Sequence, residues 1–398
     1  MRAATGLSAV RSRISAWRRL RGRTLVAAVA VAIIAGGGCS LSPDILPEVQ
    51  QTCATCAPLP DEYRIEEYVS GLDHPIALAW QPDGRLLITE QTGSIRIVED
   101  EKLKDEPWAT IPNVRALSQI GLIGIAATEE PGDDPLVYVY YEELPSSSLD
   151  LPRQVLLSLK EDGDGNVTTT RLLDDITGSA LEVNMGGMLH IGPDGDLYLG
   201  VGDAGLQAVA TEKTNIPLGK ILRLDKDGGA AADNPFAGDS AADKRVFALG
   251  FEGAWDFTFN RENGTLYTLG GIHDELVEVR TLSRTAGGEP VISVTAATSE
   301  APPPSFIPIY EFTAKNDRGD FGRGIELYTG GRLADFDGEL FACLGSSGLW
   351  RLPLDASGLL VMDADPIAPQ CSGDVAEGPD GFLYFVDSSR GQVLRIRN

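Results

Sequence analysis

The stretch Gly186-Gly187-Met188-Leu189-His190-Ile191-Gly192-Pro193-Asp194-Gly195-Asp196-Leu197-Tyr198-Leu199-Gly200-Val201 decides the fold. Two short apolar runs flank Gly-Pro-Asp-Gly. Proline presets the φ that opens a turn, and Asp-Gly supplies residues that tolerate positive φ. The runs Met188–Ile191 and Asp196–Val201 are therefore expected to be paired strands.

The same turn recurs on either side. Gln81-Pro82-Asp83-Gly84 joins Ile76–Trp80 to Arg85–Thr89, and Gly378-Pro379-Asp380-Gly381 lies near the C-terminus. Arg351-Leu352 and Arg395-Ile396 end similar third strands. Long amphipathic helical stretches are lacking. Repeats of several tens of residues predict a solenoid or a propeller. Inner strands are expected to start near Pro75, Gly121, Gly186, Ala254, Gly324 and Ser372. With four strands per unit, this predicts an all-β, six-bladed β-propeller. The last unit has three strands before Asn398, so Tyr63–Ser70 is expected to supply its fourth and close the ring. Closure removes two free edges that would invite aggregation. A pair of β-sandwiches is the alternative.

Of the 398 residues, 43% are hydrophobic, enough for a sizeable core. The formal net charge is −25. That excludes a nucleic-acid binder, which needs a positive field to offset phosphate. It also excludes docking on anionic lipid through basic patches. The charge is unevenly spread. Residues 1–23 hold seven Arg and no acid, and the apolar run Leu25–Ala35 leads to Gly36-Gly37-Gly38-Cys39. This order predicts a signal peptide over residues 1–38, too short an apolar run for a comfortable membrane span. Cys39 directly after small residues resembles the bacterial lipoprotein pattern, although Gly36 stands where Leu is usual. The expectation is an exported lipoprotein on the periplasmic or cell-surface face of a membrane, touching that membrane only through its acyl anchor. Ordinary secretion and an uncleaved anchor are the alternatives. Without the leader, 26 basic residues face 58 acidic ones, a charge of −32. Residues 39–61 form a Pro-rich tether, and residues 62–398 the propeller.

Export makes Cys53, Cys56, Cys343 and Cys371 disulfide candidates. Cys53-Ala54-Thr55-Cys56 sits in the tether with no second pair and no nearby His, so a structural bridge is favoured over zinc. Asp162-Gly163-Asp164-Gly165-Asn166 starts like a calcium loop, but Val167 and Leu173 stand where Gly and Glu are required. It is expected to be a hairpin turn. Gly200-Val201-Gly202-Asp203-Ala204-Gly205 lacks a following Lys and is expected to be a strand exit. His190, inside an inner strand, is expected to pack. Asp274 and Glu275, which follow His273, are expected to be a solvated acidic pair, the alternative being that they converge in a loop and hold calcium through hard oxygen ligands.

In order along the chain come Gly71-Leu72-Asp73-His74-Pro75, Pro82-Asp83-Gly84-Arg85-Leu86-Leu87-Ile88-Thr89-Glu90, Gln119-Ile120-Gly121-Leu122-Ile123-Gly124, Gly186-Gly187-Met188-Leu189, Gly219-Lys220-Ile221-Leu222-Arg223-Leu224, Asp233-Asn234-Pro235 and Ala248-Leu249-Gly250. This collinear set resembles the glucose/sorbosone dehydrogenase family over nearly all of residues 63–398. The resemblance implies a six-bladed propeller that uses pyrroloquinoline quinone (PQQ) with calcium to oxidise aldoses to lactones. A His would remove the hydroxyl proton, as suits its pKa. Arg and Lys would neutralise the tricarboxylate quinone.

The chain departs from the family at those positions. Asn184 stands at the position of the catalytic His, and Glu252 at that of a cofactor-facing Arg. Gly345 falls at the Lys of the fifth-blade turn, and Cys371 and Gly373 at the arginines before the last inner strand. No Lys or Arg lies near the last two sites in the sequence before Arg351 and Arg390. The metal-side Asp-Glu pair survives as Asp274-Glu275. The resemblance with these departures implies a propeller without standard quinoprotein activity, which binds a carbohydrate or an envelope protein. An active PQQ- and calcium-dependent dehydrogenase with a rearranged site is the alternative, and a purely structural envelope protein the third.

Overall fold

The computed structural model describes residues 56–118, 120–128, 135–147, 149–178, 186–206, 213–251, 253–272, 276–282, 306–312 and 323–398. All of them lie in one compact unit, Leu46–Asn398. Regular structure is almost wholly strand; among the described residues the exception is a 3-10 turn, Ala334–Phe336.

The strands form a β-propeller of antiparallel ladders, each running outward from an inner strand. β1 (Arg64–Ser70) belongs to the last sheet. The first sheet is β2 (Pro75–Trp80), β3 (Leu86–Glu90) and β4 (Ser94–Glu99), with β5 (Lys102–Leu103) and β6 (Ala109–Thr110) both paired to β4. The second is β7 (Leu122–Ala127), β8 (Leu136–Glu143), β9 (Arg153–Glu161) and β10 (Val167–Thr177). The third is β11 (Gly186–Ile191), β12 (Leu197–Val201), β13 (Lys220–Leu224) and β14 (Val246–Leu249). The fourth is β15 (Gly253–Asn260), β16 (Thr265–Ile272), β17 (Leu276–Leu282) and β18 (Phe306–Phe312). The fifth is β19 (Gly324–Leu327), β20 (Leu340–Cys343), β21 (Leu349–Leu352) and β22 (Asp365–Ala368). The last is β23 (Val375–Glu377), β24 (Leu383–Asp387), β25 (Gln392–Arg397) and then β1.

Five of the sheets, not six, are the four-stranded ladders that the repeats imply; the first has five strands. The cause is local. Pro107 has no N–H to give a ladder, so the outer edge of β4 is covered by two two-residue pieces instead of one strand. The closing strand is where the alternation placed it. β1 pairs with β25 from Arg64↔Arg397 to Ser70↔Gln392. Arg395 seals the joint, donating from Nε and Nη2 to Glu66 Oε1 at 3.0 and 2.5 Å.

All three Pro-Asp-Gly turns form. Gly84, Gly195 and Gly381 donate to the carbonyls of Gln81, Gly192 and Gly378, each at 2.9 Å, and their φ values are +88°, +83° and +76°. Two of the turns share a further device. The hydroxyls of Tyr198 and Tyr384 donate to Asp194 and Asp380 at 2.8 and 2.9 Å. A Cβ at Gly192 or Gly378 would lie 2.4 Å from a ring carbon of that Tyr, so the turn must open on glycine. In the first sheet Leu87 stands where the Tyr would be, and the turn opens on Gln81. The Asp162 segment is the expected hairpin turn, with Gly165 N donating to Asp162 O at 3.0 Å.

The inner strands are buried on both sides, so β2 and β7 are apolar runs without clean alternation. They approach one another closely. A Cβ at Gly124 would meet the carbonyl oxygen of Gly187 at 2.0 Å, which ties glycine to the contact between the second and third sheets.

Candidate functional site

The inner strands β2, β7, β11, β15, β19 and β23 pack side by side about the axis. Of the positions singled out by the resemblance, Asn184, Glu252, Cys371 and Gly373 precede inner strands in the sequence, whereas Gly345 lies between β20 and β21. Asn184, Glu252, Asp274 and Glu275 lie outside the described residues, as do Cys39 and Cys53. The remaining positions belong to one built feature. Gly345 has φ +56°, which favours glycine, in a turn closed by Ser347 N donating to Leu344 O at 2.9 Å. Its carbonyl accepts Cys371 N at 3.3 Å. Cys371 is bridged to Cys343, with Cα atoms 4.9 Å apart across 28 residues of chain. The bridge ties β20 of the fifth sheet to the segment that leads into the last and is fully buried. Cys56 is also disulfide-bonded.

These described positions do not fit a tricarboxylate quinone. Gly345 has no side chain, and Cys371 is spent in the bridge. A Cβ at Gly373 would sit 2.6 Å from Ile76 O and 2.7 Å from Val386 Cβ, leaving no room for an arginine there without movement.

One cation at this end escaped the sequence reading. Arg323 directly precedes β19, and its N–H donates to Cys343 O at 3.0 Å beside the bridge. Burial pushes its guanidinium down to about 10. The available signal was its place immediately before an inner-strand start, which a search confined to family motifs overlooks. Lys220 is a second buried base. Its Nζ donates to Leu218 O at 2.7 Å, and burial lowers it to about 8.

Further along the inner strands lies a belt of polar groups. His190 Nε2 is 2.6 Å from Asp256 Oδ1, and Asp256 Oδ2 accepts Ile325 N at 2.7 Å. His190 also packs edge-on against Phe257, with ring centroids 4.8 Å apart. It therefore packs, as expected from its strand, and carries an ion-pair partner as well. Burial disfavours its charged form, but the charge and hydrogen bond of Asp256 outweigh burial and hold its pKa above the ordinary value. Burial raises Glu326 to about 7, opposed in part by His190 and by the Thr258 hydroxyl that donates to it at 3.0 Å. Burial and the neighbouring Asp256 also hold Asp374 well above the usual carboxylate range. The belt is thus built to hold protons near neutral pH.

Comparison with known proteins gives the chain a family. The glucose/sorbosone dehydrogenase family model matches residues 72–281, more than half of the chain. An uncharacterised protein of Synechocystis is 27% identical over 376 residues, covering 85% of this chain and 87% of its own. Quinoprotein glucose dehydrogenase B of Acinetobacter calcoaceticus is 28% identical over 191 residues, 42% of this chain and 40% of that protein. The crystal structure of the soluble aldose sugar dehydrogenase of Escherichia coli superposes with a TM-score of 0.69 at 20% identity, covering 84% of this chain and 99% of that one. The last likeness concerns the fold alone. From the matched segment and the propeller together, the chain belongs to the glucose/sorbosone dehydrogenase family.

Proposed function

We propose that this propeller does not carry out the standard quinone-dependent oxidation of sugars and acts instead as a binding module for a carbohydrate or an envelope protein. The observation that carries this reading is the Gly345–Cys371 turn. There a buried disulfide and two glycines occupy positions where the family resemblance calls for Lys and Arg. PQQ would bring redox chemistry to a bound sugar hydroxyl, and three carboxylates that need cations. Asn184, at the position of the family's base, cannot take a proton at neutral pH. Losing such a base typically costs about 10²–10⁴ in rate. Family membership marks descent, and activity has to be argued from the site.

The five-stranded sheet is read as one more blade, giving six around the axis. The N-terminal segment is read as a lipoprotein leader ending at Cys39, which places the module at the periplasmic or outer face of a membrane. Calcium at Asp274 and Glu275 is part of the same proposal, on the chemistry of hard oxygen donors.

Arg323 supports a second reading. A half-buried cation whose backbone is held beside the bridge can replace part of a lost anion-binding shell, leaving a rearranged but active dehydrogenase. One assay separates the two. The purified protein is loaded with calcium and PQQ and offered a panel of aldoses with a reducible dye. The binding-module reading expects no sugar-dependent reduction. Turnover that falls on replacing Arg323 would establish the second reading.

A further inference from the structure

At the far end of the inner strands, beyond the belt, is a cavity of about 500 Å³. That is within the usual range for small-molecule sites. Leu78, Ile125, Leu189 and Leu327 give it apolar walls, and Trp80 and Phe259 contribute aromatic rings. Glu326, Asp374 and Glu377 line it with His190, and Arg261 is the basic side chain beside Glu377.

Two of its polar groups are left without partners by the fold. Gln81 is 3% exposed, yet neither its Oε1 nor its Nε2 has a hydrogen-bonding partner in the protein. Asp374 is also 3% exposed. Its Oδ2 accepts Leu78 N at 3.0 Å, while Oδ1 accepts nothing. Buried polar groups are nearly always satisfied, so two orphans on one cavity wall require a reason. Gln81 also breaks the repeat. The sister turns open on glycine because a Tyr ring fills the space, whereas in the first sheet Leu87 stands at the Tyr position and Gln81 is among the residues that line the cavity.

The orphans define a complementary ligand. Asp374 Oδ1 and Gln81 Oε1 need N–H or O–H donors, and Gln81 Nε2 needs an acceptor. Asp256 is engaged with His190 and Ile325, so Glu326, Asp374 and Glu377 set the field of the wall. Burial keeps protons on Asp374 and Glu326 in the empty cavity, so a cation is taken in exchange for the Asp374 proton, and the aromatic rings add to its attraction. Among the described residues no group of three or more His, Cys, Asp or Glu is arranged to hold a metal ion, so the charge is better carried by nitrogen.

We propose that this cavity binds a small hydroxylated organic amine, an amino sugar being the simplest case, with Asp374 taking the ammonium group and Gln81 a neighbouring hydroxyl. The site uses none of the residues at the family's cofactor positions and is independent of whether those remain active.

The test is titration calorimetry of the full chain at pH 7 with D-glucosamine, glucose and N-acetylglucosamine. The first carries the charge, and the other two share its hydroxyls without it. Glucosamine is expected to bind at least tenfold more tightly than either. Asp374→Asn keeps an oxygen for Leu78 N and is expected to weaken glucosamine at least tenfold. Gln81→Ala leaves the turn's backbone bonds in place and is expected to weaken it several-fold. Unchanged thermal midpoints confirm that both variants fold. Equal affinity for glucose and glucosamine, no saturable binding of glucosamine, or binding indifferent to both substitutions would each overturn the proposal. So would displacement of glucosamine by calcium through Asp374.

Discussion

His190 Nε2 lies 2.6 Å from Asp256 Oδ1, which joins the inner strand of the third sheet to that of the fourth beneath the axis. Asp256 is 1% exposed, so the pair is held from inside. Because Asp256 raises the pKa of His190, the pair's contribution is fully present below the unfolded value of about 6.5 and is lost as pH rises through the folded value. Asp256→Asn is expected to cost about 3 kcal/mol at pH 6 and clearly less at pH 9. Urea unfolding at the two pH values checks this. Equal losses at both would mean that the imidazole keeps one charge state across that range.

Glu326→Gln is expected to act in the opposite sense. Burial raises this carboxyl to about 7, above its unfolded value, so the folded state holds its proton more tightly. Ionising it as pH rises from about 4.5 to 7 therefore destabilises the fold. The variant should match the parent at pH 4.5 and exceed it by about 2 kcal/mol at pH 8, after allowance for partial access to the cavity. Paired urea titrations across that range give the difference directly.

The Cys343–Cys371 bridge closes a loop of 28 residues between the fifth and last sheets. A loop of that length restricts the unfolded chain by about 3–4 kcal/mol. Unfolding in the presence of reductant is expected to lose about that much. Both sulfurs are buried, so reduction should also require partial unfolding, and its rate should rise with urea.

Arg395 is 4% exposed and grips Glu66 on the closing strand, with Tyr384 Oη and Glu101 also within reach at 3.3 and 2.8 Å. Arg395→Met keeps most of the packing and removes the charge. It is expected to cost about 3 kcal/mol by leaving Glu66 less well paired, and to open the ring at β1 first. Hydrogen exchange should show protection lost at residues 64–70 before any other strand.

Much of the fold was legible in the turns. Pro-Asp-Gly dictates its own geometry locally, so the strand pairs at Gly84, Gly195 and Gly381 followed from sequence, as did the closing strand from its alternation. The extra piece of the first sheet was not legible, because β5 and β6 are two residues each and leave no periodic signal. The site was less legible for a different reason. The bridge of Cys343 to Cys371 depends on a 4.9 Å approach between residues 28 apart; export makes both cysteines candidates, but spacing cannot reveal the pairing. Arg323 was hidden because its meaning comes from burial beside that bridge. The Gln81 amide was visible as a departure from the Gly-Pro-Asp-Gly turns, but only the missing Tyr at Leu87 and the cavity behind it explain the change.

If the chain has lost its hold on the quinone, as proposed, equilibrium binding shows it without relying on turnover. PQQ is titrated into the full-length protein with calcium present, and the quinone's absorption and the heat of mixing are followed together. No saturable binding is expected at micromolar PQQ. Stoichiometric binding at or below a micromolar Kd, weakened by replacing Arg323, would contradict it and would show that the shell had been rebuilt.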